Sequence, residues 1–470
     1  MHTKLFCADI GTSSLKAAVI ADDGTVLNYV RLPFPRPVKA ADWVHAFFSA
    51  WRTLSAHYAV DALCISGNGP SLIAVPHKSG MAAAGLSGAQ AAVCSVTTGT
   101  CDAVQGECQS GQPKIGRYLS DSAINGMIER AEKAVLFLWN EPLPPDFTAP
   151  QSPSLFLPRI AAFRAIYPQA FDTAAQIFSG PEYLLYLLTG QAVTVLPDPR
   201  YEAAYWNKEE LSRFAESVLR IDEGKLAGLL PPFVTAGEAI GYFCGIPVIA
   251  GVPDFIAALI GTGTLIAGAA CDRAGSSEGL NVCIPQPRRT EGALLLPSVI
   301  PDLWNSSFVI PSSGAAFSAF LISHGLSGNN YGAAMERIAA EPFMPAGAYP
   351  TTFAGQGRSF VERLAFRIRR GCDILEQGSG MCPVYTLSGG QAHNPCWCQM
   401  KADMTGRTFA LPHFADAELL GDAALALYGL GGMAALPAIA KTLIRIERYY
   451  EPNPLYAARY AEKYASHVIS

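Results

Sequence analysis

The first two dozen residues constrain the fold more than any other part of the chain. Leu5 to Ile10 and Leu15 to Ala21 read as strands joined by the small turn Gly11-Thr12-Ser13-Ser14, and Asp22-Asp23-Gly24 turns the chain again. Strand-length runs of period two around a turn of this kind make a hairpin. Further strand-like runs follow at Val26 to Arg31 and Ala62 to Ser66, with the aromatic-rich, helix-like segment Trp43 to His57 between them. That order predicts a mixed sheet flanked by helices, an α/β fold.

At 470 residues the chain exceeds one ordinary core, so two domains of roughly 200 to 250 residues are expected. After Gly237 to Gly245 the character of the opening recurs: an apolar strand at Pro247 to Ala250, a Gly/Pro/Asp turn and an apolar, helix-like run to Leu265. The boundary is therefore expected near residue 245, giving domains 1–245 and 246–470. Between these landmarks, helical patterns occupy Ser154 to Tyr167 and Pro181 to Thr189, the second opening on proline and stopping at Gly190. Residues 76–125 are rich in small residues and show no period from which elements can be placed. The second half carries a serine-glycine turn at Gly275 to Gly279, helical stretches near Ala315 to His324 and Arg358 to Gln377, a segment Val384 to Gly390, and helices at Ala417 to Tyr428 and Ala434 to Tyr450.

Charge and cysteine usage narrow the class. The formal net charge of −5 contains no block of like charge, which argues against a nucleic-acid partner. The N-terminus has neither a basic leader region nor a small-residue cleavage site, so a cytoplasmic location is expected. Ile246 to Ala270 is apolar and long enough to span a bilayer, but Pro247, Gly251, Pro253, Asp254 and Gly261 interrupt it, and a central carboxylate facing lipid is costly. No membrane partner is expected, and Asp254 becomes a functional candidate. Twelve cysteines without a CxxC pair read as reduced thiols; Cys94, Cys101 and Cys108, and the Cys396-Trp397-Cys398 pair, lack a fourth ligand for a metal.

Three segments can carry chemistry. Asp9 to Lys16 places a carboxylate at a strand end before a hydroxyl-rich turn; such a turn holds phosphate oxygens while the carboxylate binds the accompanying magnesium, unless it is an ordinary hairpin turn. Gly251-Val252-Pro253-Asp254 puts a carboxylate before an apolar helix, where it serves either as a proton acceptor in a cleft or as a helix cap. Thr386 to Pro395, running on to Asp403, ends a strand in Gly389-Gly390, which lets backbone approach a ligand closely or simply connects a strand to a helix.

In this order and spacing the three segments resemble the FGGY family of carbohydrate kinases. The opening is similar to the family's phosphate motif D-x-G-T-x-S-x-(K/R), Ala250 to Gly263 to its catalytic-aspartate segment, and Ser388 to Asp403, followed by Leu419 to Ala424, to its adenosine motif. Pro181 to Gly190 is similar to the family's helix ending in L-T-G. The resemblance implies two actin-like, ribonuclease-H-like domains with an interdomain cleft, the first on the sugar and phosphate side and the second on the nucleotide side. It implies ATP-dependent phosphorylation of a hydroxyl on a small sugar or polyol, with ATP and Mg2+ as cofactors. Asp254 would be the general base and Asp9 the carboxylate near the metal. Thr12, Ser13 and Lys16 would surround the transferred phosphate, Ser276 would sit in a second phosphate loop, Gly314 and Ser318 would contact nucleotide, and Gly390 and Asn394 would lie near the adenosine.

The acceptor half departs from the family pattern. Ser66-Gly67-Asn68-Gly69-Pro70-Ser71 lacks the histidine of the family's sugar-contacting segment, and Phe255 follows the aspartate where relatives carry a polar group. Trp139-Asn140-Glu141 is the nearest approach to the family's W-x-D-x-R loop. These departures keep open a catalytically impaired sugar- or nucleotide-binding protein on the same scaffold. A homodimer is also left open.

Overall fold

The structure is a computed structural model, described here for residues 2–77, 119–345, 349–381, 383–431 and 435–468. Most of the unreadable stretch 76–125, with Cys94, Cys101 and Cys108, lies outside the described residues.

The predicted hairpin forms. Lys4–Ile10 pairs antiparallel with Ser14–Ala21, from Lys4 opposite Ala21 to Ile10 opposite Leu15, and the Gly11 N–H donates to the Ser14 carbonyl at 3.0 Å. Ser14–Ala21 pairs antiparallel with Val26–Pro33. On the other side of the first strand, Lys4–Ile10 pairs parallel with Ala62–Gly67, and that strand pairs parallel with Ile246–Pro253, which has Ala239–Phe243 antiparallel at the edge. A parallel step requires a crossover, and the helix Ala40–Ser55 supplies the first. Its buried Phe47 and Trp51 make edge contacts with Phe6 at 5.8 and 5.0 Å, and Trp51 meets Phe243 at 5.2 Å.

A second sheet follows the same course. Ala270–Ala274 pairs antiparallel with Glu278–Ile284, which pairs antiparallel with Trp304–Ile310, and Leu294–Pro297 closes that edge. On the other side of Ala270–Ala274 come Tyr385–Ser388 and Phe409–Pro412, both parallel, then Ile446–Tyr450 antiparallel. The helix Phe353–Ser379 buries Val361, Leu364, Ala365, Ile368, Cys372 and Leu375, a stripe at helical spacing. Antiparallel strands on one side of a first strand and parallel additions on the other, occurring twice, give two ribonuclease-H-like domains of the α/β class.

The chain divides into one unit of Met1–Ala257 with Asp422–Ile439 and another of Ala258–Gly421 with Ala440–Ser470. This differs from the boundary expected at 245. Ile246–Pro253 is hydrogen-bonded to Ala62–Gly67 and so completes the first sheet; the recurrence begins at Ala270. Its apolar character is that of a buried parallel strand, not of a new opening hairpin. The helix expected over Ala434 to Tyr450 is likewise corrected: helix Leu436–Leu443 gives way to an edge strand, Ile446–Tyr450, of which only Tyr450 is buried. A last helix, Pro454–Val468, escaped the sequence reading although Asn453 Oδ1 accepts from the Leu455 N–H at 3.0 Å ahead of it. Among the described residues no helix is long and apolar enough to cross a membrane, and the apolar run from Ile246 is a strand followed by the short helix Asp254–Gly261.

Candidate functional site

In the first unit, the candidate residues collect at the carboxyl ends of three neighbouring parallel strands. Asp9 lies near the end of Lys4–Ile10, and Asp254 directly follows Ile246–Pro253, with Ala62–Gly67 between these strands. Carboxyl ends of parallel strands are where α/β sheets bind ligands, because loops diverge there. Hairpin register puts Asp9 opposite Lys16 on one face, with Nζ 3.5 Å from Oδ2, and Asp9 is 3% exposed.

Asp254 opens its helix and its Oδ1 accepts from the Phe255 N–H at 2.7 Å. Gly251 makes this strand end possible: a Cβ there would stand 2.0 Å from the Ile65 carbonyl oxygen, and the register slips between Ala250 and Pro253.

The turn is braced from a direction the sequence did not disclose. Trp139 Nε1 donates to Thr12 Oγ1 at 3.0 Å, and the Trp139 N–H donates to Ser71 Oγ at 3.1 Å. Ser71 Oγ donates to Asn68 Oδ1 at 2.5 Å, and Asn68 Nδ2 donates to the Ile10 carbonyl at 3.0 Å. The segment that lacks the family's histidine thus spends its polar side chains on holding the turn. Ser13 is exposed, and its carbonyl accepts from the Phe34 N–H at 2.9 Å.

Asp422 is a further member. It is fully buried, with Oδ2 accepting from Ser66 Oγ at 3.0 Å and Oδ1 from Cys64 Sγ at 3.7 Å. Burial, followed by the charge of Asp9, pushes its carboxyl well above the usual range. A carboxylate inside the apolar run Ala417–Gly429 was the signal that could have marked it.

In the second unit, two turns again follow neighbouring parallel strands, Ala270–Ala274 and Tyr385–Ser388. The Gly275–Ser277 turn is tied to the start of helix Gly314–Ser323: the Ser313 N–H donates to the Ser276 carbonyl at 3.0 Å, and the Gly314 N–H to the Gly275 carbonyl at 3.2 Å. A Cβ on Gly314 would lie 2.3 Å from the Gly275 carbonyl oxygen. Gly389 has φ +85°, and a Cβ there would lie 2.6 Å from the Ala274 carbonyl oxygen. Gly390 opens the turn Gly390–His393, and Ser318 lies exposed one helical turn beyond Gly314. Asn394 caps helix Pro395–Thr405, its Oδ1 accepting from the Trp397 N–H at 2.9 Å. This is the strand-to-helix connection that the sequence also allowed.

Behind these turns lies a buried ionic network that sequence reasoning missed. Lys401 Nζ contacts Asp272 and lies 2.7 Å from Glu278 Oε1. Glu278 Oε2 accepts from Ser313 Oγ at 2.5 Å, while Gln391 Nε2 donates to Ser313 Oγ at 3.0 Å and to the Gly275 carbonyl at 2.9 Å. Burial and the neighbouring Glu278 push Asp272 up to about 8, against the pull of Lys401, and the two carboxylates hold Lys401 protonated. The signal available was a lysine within the run Cys398-Gln399-Met400-Lys401-Ala402, one turn after a buried tryptophan.

Residues 321–430 match the model of the C-terminal domain of the FGGY family of carbohydrate kinases. The chain is 24% identical over 357 residues to an autoinducer-2 kinase of Yersinia pestis, covering 65% of this chain and 66% of that protein. It is 27% identical over 107 residues to a "Probable L-xylulose kinase" of Pasteurella multocida, covering 23% of this chain and 21% of that one. The chain thus spans less than two thirds of the length of either relative. A crystal structure of a xylulose kinase from Brucella ovis superposes with a TM-score of 0.71 at 18% identity, covering 99% of this chain and 98% of that one.

Proposed function

We propose that the chain, whose residues 321–430 match the C-terminal domain of the FGGY family of carbohydrate kinases, transfers the terminal phosphoryl group of ATP to a hydroxyl of a small sugar or polyol. The observation that carries this reading is the placement of Asp9 and Asp254 at the carboxyl ends of two parallel strands on either side of Ala62–Gly67, with Lys16 across the hairpin from Asp9. Asp254 takes the proton of the acceptor hydroxyl as its oxygen forms a bond to the γ-phosphorus. The bond from that phosphorus to the bridging oxygen breaks, and ADP leaves with the electron pair. Lys16 and the Thr12 and Ser13 turn sit where charge accumulates on the transferred group. Asp9, a buried oxygen donor, suits a hard cation such as Mg2+, which would neutralise phosphate charge there.

In the second unit Ser276, Gly314, Ser318, Gly390 and Asn394 line the nucleotide side. Gly314 and Gly389, where a Cβ would strike the Gly275 and Ala274 carbonyl oxygens, let these turns pack closely, and a Cβ on Gly390 would meet open space. A reaction that draws on ATP and a small metabolite supports a cytoplasmic location.

The test is ADP release by wild type and Asp254→Asn with MgATP and a panel of pentuloses, hexuloses, aldoses and polyols. Acceptor-dependent release that falls by about 10²-fold or more in the variant is expected from loss of a general base. ATP binding without turnover on any acceptor, or equal turnover by the variant, overturns the reading in favour of a binding protein.

A further inference from the structure

We propose that the preferred acceptor carries a deoxy or alkyl-bearing terminus, a carbon without its hydroxyl, which seats in an apolar cavity beside Asp254. The inference rests on the kinase reading above for the role of Asp254, and on the cavity for the choice of substrate. The cavity is walled by Pro70, Phe156, Tyr201, Tyr205, Pro253 and Phe255, and carbon forms almost all of its surface. Pro253 and Phe255 flank Asp254 in the chain, so the wall and the proton acceptor belong to one strand-to-helix junction.

The space is more than enough for one water or one methyl group. A water settles in such a space only with two to four polar partners, and these walls supply almost none. An alkyl group needs no such partner.

The wall is built rather than incidental. Phe156 stacks on Tyr205 with centroids 4.6 Å apart, and Trp206 packs edge-on to Phe156 at 5.8 Å and against Phe233 at 4.9 Å. Phe156, Tyr201 and Tyr205 are all buried, so the shape is held by packing and not by mobile side chains. The nearby polar side chains do not soften this reading. Asn68 and Ser71, on the segment ending at Pro70, are buried and bonded to one another and to the Ile10 and Trp139 backbones. A hydroxyl placed against Phe255 would surrender its water bonds to the apolar wall without replacement, whereas a methyl group would gain contact with that wall.

The test compares matched pairs that differ by one oxygen: a pentulose with its 1-deoxy counterpart, and a hexulose with its 6-deoxy counterpart. Both ADP release and equilibrium binding by calorimetry are followed. One methyl group in a fitted pocket is worth about 10- to 200-fold. The expected result is a preference of at least about tenfold in kcat/KM and in Kd for a deoxy member, shrinking or inverting in Phe255→Asn. Equal or better use of the hydroxylated members overturns the inference. Turnover on no sugar sinks the kinase reading instead, and the binding comparison in wild type then decides the cavity: tighter binding of the hydroxylated member, or binding of neither, refutes it.

Discussion

Replacing Lys401 by Met removes the single cation from a buried cluster that holds two carboxyl groups. Burial and the neighbouring Glu278 already raise Asp272, so the cluster keeps its carboxyl charge only through the pull of Lys401. With the ammonium 2.7 Å from Glu278 gone, a carboxyl of the cluster must be neutralised to stay buried. Bringing a carboxyl of ordinary pKa about 4.3 to the neutral form at pH 7 costs about 3.7 kcal/mol, at 1.36 kcal/mol per unit. That lies within the ~3–5 kcal/mol expected when one partner of a buried ion pair is removed.

The sign with pH follows from linkage. In the variant a buried carboxyl without its cation favours the neutral form, so the cluster's share of stability is present below about pH 4.3 and is lost as pH rises. The gap between variant and wild type should therefore widen by about 1.4 kcal/mol per pH unit, from about 1 kcal/mol at pH 5 to nearly 4 at pH 7. Urea unfolding at pH 5, 6 and 7, followed by circular dichroism with the two units allowed separate transitions, measures it. Adding Glu278→Gln should restore most of the loss, since the amide oxygen can still accept from Ser313. Because Ser313 and Gln391 connect the cluster to the Gly275 turn, the ATP KM of Lys401→Met should rise more than kcat falls. A loss at pH 7 below about 1 kcal/mol, or one that does not change with pH, would refute the reasoning.

Two further substitutions probe the same principles. Burial pushes Glu182 up to about 7, so its stabilising share is present below about 4.5 and disappears as pH rises through 7. Glu182→Gln should gain about 2.5 kcal/mol on wild type between pH 5 and pH 8 in thermal or urea unfolding, and a difference that stays flat with pH would count against this. Gly314→Ala drives a methyl against the Gly275 carbonyl oxygen at 2.3 Å, with Gln391 Nε2 3.1 Å away. A rise of about tenfold or more in the ATP KM is expected, with the acceptor KM little changed, and unaltered ATP affinity by calorimetry would remove Gly314 from the nucleotide side.

What could be read from the sequence was what is local. The hairpin from Lys4 to Ala21, the helix ending at Gly190 and the strand before Gly389 announce themselves through turns and residue periods a few positions long. The domain boundary did not, because whether Ile246–Pro253 ends one sheet or begins another depends on hydrogen bonds to Ala62–Gly67, some 180 residues earlier. Ile446–Tyr450 was misread for the same reason: its pairing with Phe409–Pro412 outweighs a weak helical pattern. Asp9 and Asp254 stood out as carboxylates at strand ends. Lys401, Glu278 and Asp422 did not, since the pairings Lys401–Glu278 and Asp422–Ser66 span 123 and 356 residues and their meaning comes from burial.

The first unit is not encoded by one stretch of chain. Gly237 packs on Tyr428, and Gly429 on Ile249, so residues 422–439 belong to the same core as the opening hairpin. Synthesis from the N-terminus therefore cannot finish the first unit first. Its last segment emerges only after the strands through Phe409–Pro412 have been made, leaving Ser66 and the Asp9 strand without Asp422 until then. A gene truncated near codon 257 would therefore yield a first unit without residues 422–439 of its own core.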